Sequence, residues 1–162
     1  MKKVFLLAGL ASLLFGSTLS AQKKDSIVTL PTVTVTSGTK VTAEVDKAFK
    51  KTFPDARNLK WYKLDKDYLA KFITEDMKHN ALFKKNGQMK YDISFGYENN
   101  LPGEIRDRVQ SAYGDYKITK AVNVKFSDRN VWVINLEGMK HYIMVQVEGD
   151  EMEEVQKITK SQ

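Results

Sequence analysis

The sequence predicts an α+β fold: two tandem repeats, each a helix followed by a four-stranded antiparallel meander, with the helices packed on one face of the sheet. Three observations predict it. Residues 58–95 read as four short strands joined by tight turns. A fainter version of the same stretch returns near the C-terminus, where Met77-Lys78-His79 recurs as Met139-Lys140-His141 and Gly87 as Gly149, both 62 residues on. An amphipathic helical pattern precedes each meander, with Lys47-Ala48-Phe49 echoed by Ser111-Ala112-Tyr113. This reading divides the chain into residues 1–21, a leader; 22–40, a linker; and one domain over 41–162, with repeat one at 41–98 and repeat two at 99–162.

The leader has the form of a secretory signal peptide. Lys2 and Lys3 make a basic start, and the apolar run 4–15 is shorter than the roughly 20 residues that span a bilayer. A cut after Ala21 follows, and with it an exported protein, periplasmic or extracellular. Residues 22–40 are Thr/Ser-rich and read as a linker. Within them Thr-Val-Thr-Val-Thr at 32–36 has high strand propensity and suits strand addition, to the chain's own sheet edge or to a partner's.

Helix one spans about 43–53. Thr42 suits the N-cap, Glu44 and Asp46 favour the positive end of the dipole, and Val45, Ala48, Phe49 and Phe53 share one face. In the meander that follows, Tyr68, Ala70 and Phe72 alternate with Leu69, Lys71 and Ile73, so that strand is apolar on both faces. Asn86-Gly87 is a hairpin signal for a type I′ turn. After it, Tyr91, Ile93 and Phe95 alternate with Asp92 and Ser94, as in a half-buried strand. Helix two opens at Leu101-Pro102, carries Ile105, Val109, Ala112 and Tyr113 on one face and stops at Gly114. Strands return at 116–126, 131–136, 141–147 and 152–158.

Composition narrows the function. The chain of 162 residues has no cysteine, which excludes disulfides, thiolate metal sites and a lipid-modified N-terminal cysteine. Loss of the leader's two lysines takes the formal charge from +6 to +4, and the remaining charges are interleaved rather than clustered. That pattern suits a solvated surface and argues against nucleic acid. His79 and His141, the only histidines, sit at equivalent repeat positions, where a shared metal site is not expected. The acidic run Glu148, Asp150, Glu151, Glu153, Glu154 lacks the spacing of a calcium loop. No nucleophile-elbow, zinc-protease or phosphate-loop motif occurs, so no catalytic residue and no cofactor is assigned, and the protein is read as a non-enzyme. The aromatic residues on strands are another matter. At period two, one of Trp61 and Tyr62 must face away from the core, as must one of Val131 and Trp132. Trp61, Tyr62, Tyr68, Trp132 and Tyr142 are therefore the candidate partner-binding residues, since Tyr and Trp are favoured anchors of protein interfaces.

The ordered pattern Ala48-Phe49, Phe53-Pro54, Asn58, Trp61, Asp65, Asp67-Tyr68, Phe72, Ala81, Phe83, Asn86-Gly87, Leu101-Pro102, Tyr113, Tyr116 and Ile118 is similar to the PepSY-like family of small exported bacterial proteins, whose fold resembles that of the β-lactamase inhibitor protein. The resemblance covers about 41–158. It implies tandem α-plus-β-meander repeats and, by analogy with PepSY domains, a binding or inhibitory role; it implies no catalytic site. The expected function is a non-catalytic exported binding or inhibitor-type module that recognises a protein or peptide in the cell envelope. The alternative is a small-ligand or metal sensor of the envelope.

Overall fold

The computed structural model describes residues 35–161. The expected leader and the linker up to residue 34 lie outside the described residues. The elements are β1 (Val35–Ser37), α1 (Ala43–Thr52), β2 (Arg57–Leu64), β3 (Asp67–Thr74), β4 (Met77–Phe83), β5 (Met89–Gly96), a 3-10 turn (Glu98–Asn100), α2 (Gly103–Ala112), β6 (Lys117–Phe126), β7 (Arg129–Glu137), β8 (His141–Glu148) and β9 (Glu151–Thr159).

All nine strands join one sheet in chain order, each antiparallel to the next. This overturns the expected pair of tandem helix-plus-four-strand repeats with helices packed on the sheet. β5 and β6, which that division assigns to separate units, pair from Tyr91↔Phe126 to Gly96↔Ala121, so the sheet runs through without a break. The pairing satisfies backbone N–H and C=O groups that two separate sheets would leave along two further edges. Nor do the helices form a layer. Each has ten residues and spans about 15 Å, against roughly 38 Å for nine strands side by side. Their buried residues are Val45 and Phe49 in α1 and Val109 in α2.

Each helix contributes only one or two buried side chains, and these join strand residues of one sheet face. Val45 and Phe49 join Tyr68, Ala70, Phe72, Ala81 and Phe83, with Trp61 against them. Phe49 meets Phe72 edge-on at 4.9 Å and Trp61 at 5.3 Å between ring centroids, the geometry aromatic pairs prefer. Val109 joins a second cluster with Ala121, Trp132, Ile134, Val145 and Val147. Between the clusters runs a buried polar seam of His79, Asp92, Ser94 and Asn123. Among the described residues no buried side-chain nitrogen or oxygen in the protein lacks a partner.

Turn chemistry fixes the register. In four two-residue hairpins the first loop residue takes positive φ: Asp65, Glu75, Ser127 and Gly149. The Asn86-Gly87 hairpin departs from the type I′ expectation. Only Gly87 has positive φ, at 83°. The loop is five residues long, closed by Lys84 N–H to Gln88 O and Gly87 N–H to Lys84 O. It leans on α1: the Thr42 hydroxyl donates to Lys85 O at 2.9 Å while its oxygen accepts from Val45 N–H, capping the helix. The segment before α1 reaches the sheet as well, with Val35↔Leu64 to Ser37↔Tyr62 making β1 the edge strand.

Candidate functional site

The register separates the two faces of the sheet. Both helix-bearing clusters draw on one face only, that of Trp61, Phe72, Phe83, Ala121, Trp132 and Val145. Among the described residues, no helix lies over the other face. Alternation predicts polar residues there. In β5 and β6 the reverse holds. Asp92 and Ser94 of β5 are buried on the helix side, so Tyr91, Ile93 and Phe95 point to the open side. In β6, Ala121 and Asn123 are buried, and Val122, Val124 and Phe126 point outward. Cross-strand pairs carry these apolar residues across the middle of the open face: Ile93↔Val124↔Val131 in one row, Phe95↔Val122↔Val133 in the next. Leu82 and Val131 lie on this face yet are only 6% exposed, because the neighbouring side chains crowd them.

The first of these rows runs through eight strands as Lys60, Lys71, Asn80, Ile93, Val124, Val131, Glu148 and Glu151. It is basic at one end, apolar in the middle and acidic at the other. Lys60 and Lys71 stand directly opposite one another. The Lys71 ammonium lies over the Tyr62 ring at 5.1 Å, and that of Lys120 over the Phe95 ring at 5.6 Å, both cation–π distances. At the acidic end, Arg129 holds the Glu148 carboxylate by side-chain hydrogen bonding and keeps its pKa below the usual range. A recess of about 340 Å³ is lined by Lys60, Tyr62, Lys71 and Lys78, and one of about 280 Å³ by Asn135, Tyr142, Met144, Gln156 and Ile158. A larger one, about 580 Å³, sits beside the 3-10 turn and reaches the face at Tyr97.

The five candidate residues divide between the faces. Tyr62 and Tyr142 are on the open side; Tyr142 is 47% exposed, with the Lys160 ammonium 4.6 Å from its ring centroid. Trp61, Tyr68 and Trp132 are on the helix side, within or against the core clusters. The structure therefore does not bring the five together. Sequence reasoning placed Ile93, Phe95, Val122, Val124 and Val131 on strands but did not make them, or Val133, partner-binding candidates. Their signal was present as alternation, but alternation does not say which side is inside.

His79 and Asp92 form the most enclosed ionisable pair. The His79 Nδ1 is 3.0 and 3.1 Å from the two Asp92 carboxylate oxygens, and its Nε2 is 2.7 Å from the Thr74 hydroxyl. Thr–His–Asp connectivity of this kind invites comparison with a catalytic relay. Here Phe72 stacks on the imidazole at 4.7 Å and Phe53 packs at 5.8 Å, and the histidine is 9% exposed. Both ring nitrogens are occupied and the ring faces are covered by aromatics, which is how a buried polar group is satisfied rather than how a substrate is received. Among the described residues no group of three or more His, Asp or Glu is placed to hold a metal ion. The acidic run separates: Glu148 pairs with Arg129, Glu151 and Glu153 share its face, and Glu154 bonds Tyr113 on the helix side, where burial and that carboxylate push the Tyr113 pKa up.

No family model matches the chain, and no curated protein matches it. Solved structures do. A BLIP-like protein from Bacteroides fragilis superposes with a TM-score of 0.57 at 18% identity, covering 76% of this chain and 91% of that one. The fold is BLIP-like. A DUF2874 family protein from Bacteroides ovatus aligns with a TM-score of 0.53 at 19% identity over 73% of this chain and 90% of its own. A protein from Bacteroides eggerthii, provisionally described as periplasmic, aligns at 0.52 and 15% identity over 75% and 90%. The BLIP-like likeness agrees with the fold implied by the sequence pattern; the resemblance to the PepSY-like family is not confirmed by these comparisons. Among the described residues no helix is long and apolar enough to cross a membrane.

Proposed function

We propose that the chain is a non-catalytic binding or inhibitor-type module of the cell envelope, recognising a protein or peptide partner through its open sheet face. One observation carries the reading: β5 and β6 turn their apolar sides to the face that no helix among the described residues covers. A contiguous apolar patch rimmed by charge is the mark of a docking surface. Tyr62 and Tyr142 at its margins supply amphipathic anchors. The provisional periplasmic description of one fold neighbour supports the envelope location, as does the leader-like N-terminus of the chain.

A photo-crosslinking side chain placed singly at Phe95 or Val124, and at Lys51 or Gln110 on the helix side as controls, tests it in intact cells. Protein adducts are expected from the first pair only, and Tyr62→Ala should reduce them. Equal labelling from all four positions, or none from the open face, removes the reading.

A further inference from the structure

The open face is complementary to itself. In its central row a basic pair, Lys60 and Lys71, lies at the β2–β3 end and an acidic pair, Glu148 and Glu151, at the β8–β9 end; Ile93 and Val124 flank the midline. Glu153, opposite Gln146, adds a further acid to that end. The basic end thus juxtaposes like charges across neighbouring strands, which destabilises a sheet in isolation; at the acidic end Arg129 pairs with Glu148, and Glu151 and Glu153 carry the excess charge. Among the described residues no ion pair neutralises Lys60, Lys71, Glu151 or Glu153.

Resting on the reading of this face as a protein-docking surface, we infer that its occupant is a second copy of the chain. The copies would stack face to face about a twofold axis parallel to the strands, between β5 and β6. That rotation lays β2 and β3 of one copy over β8 and β9 of the other, placing lysines against glutamates at both ends and the apolar centre on itself. A twofold interface requires such a patch to be its own complement. Stacked sheets cross at about 30°, which shifts the ends, about 17 Å from the axis, by roughly 8 Å or about one row. The charges therefore meet as clusters, Lys60 and Lys71 against Glu151 and Glu153, rather than one to one.

Sedimentation velocity on the full chain, with Lys60→Glu/Lys71→Glu and Glu151→Lys/Glu153→Lys variants, tests this. The unmodified chain should sediment as a dimer whose association weakens with salt. Each double variant alone should be monomeric, its dissociation constant raised about a hundredfold, the scale set by like charges facing across an interface. Mixed together, the two variants should re-form a dimer, because the reversed ends of the two then face each other as glutamates against lysines, and the unreversed ends do likewise. That recovery requires both variants to be folded. A chain that is monomeric up to millimolar concentration, or variants that stay dimeric or fail to pair on mixing, overturns the inference. Heterologous adducts from Phe95 with a monomeric chain would overturn it while leaving the docking face standing; absence of both dimer and adducts would remove both.

Discussion

Gly87 is fixed from two directions. Its φ of 83° is in the region that favours glycine, and a Cβ there would lie 2.7 Å from the Glu44 carbonyl oxygen in the first turn of α1. Backbone cannot give way as a flexible side chain can. Gly87→Ala should therefore cost about 2–3 kcal/mol, combining left-handed strain with the clash, and equilibrium urea unfolding will measure it. His79 and Asp92 offer a second residue-scale prediction. His79→Leu leaves Asp92, 2% exposed, without its partner, and should cost about 3 kcal/mol. His79→Leu/Asp92→Leu should cost less than that single change, because it removes the stranded carboxylate as well. A double variant as unstable as the sum of the two singles would contradict the account. Of these two features the sequence showed one. Asn86-Gly87 announced a turn, though Gly87 alone needs positive φ. The His79–Asp92 pair joins adjacent strands thirteen residues apart in the chain, and Asp92 in an alternating strand reads as solvent-facing until its neighbours are placed.

The hairpins decide behaviour at the scale of elements. Glu75 occupies the positive-φ position of the β3–β4 turn, where a Cβ is disfavoured. Glu75→Gly should raise stability by about 0.5 kcal/mol, the relieved strain exceeding the extra entropy glycine loses on folding; a thermal melt will show the sign. At the other end of the sheet, Glu137 bonds Lys160 and Glu148 bonds Arg129, and both carboxyls are held below their usual pKa by those hydrogen bonds. A folded pKa lower than the unfolded one means stability that is fully present above the ordinary carboxylate range and lost as the pH falls through the folded value. Amide protection in β8 and β9, taken relative to the intrinsic exchange rate at each pH, should fall on acidification through that window, and less so in Arg129→Ala, where the Glu148 contribution is already gone. Most elements were legible, because alternation and turn residues are local. The joining of β5 to β6 was not, since a loop, a 3-10 turn and α2 separate the two strands in sequence.

For the whole molecule, the sheet has a structural side and an available side, and substitutions should separate them. Phe83, fully buried beneath α1, should cost about 3–5 kcal/mol when changed to Ala. Phe95→Ala, on the open face, should cost well under half of that, since the folded chain already leaves its ring partly in water. Similar losses at both sites would mean that the open face is covered after all. Sequence alone could state that one of Trp61 and Tyr62 faces outward, and likewise Val131 and Trp132; assigning Tyr62 and Val131 to the outside required the helices to be placed. The same ambiguity hid the apolar centre, where β5 and β6 turn their polar sides to the core seam.

The strictly sequential order of the sheet bears on how the protein comes into being. Every strand from β2 onward pairs with the one just before it in the chain. A polypeptide emerging N-terminus first, from a ribosome or a narrow pore, can add each strand to a finished edge as it appears, with no early segment waiting for a late one. Only short loops need to close for most of the pairings, which favours rapid assembly. The growing edge is sticky at every stage until β9, where Glu151, Glu153, Glu154 and Lys157 end the series with a charged border that discourages further addition.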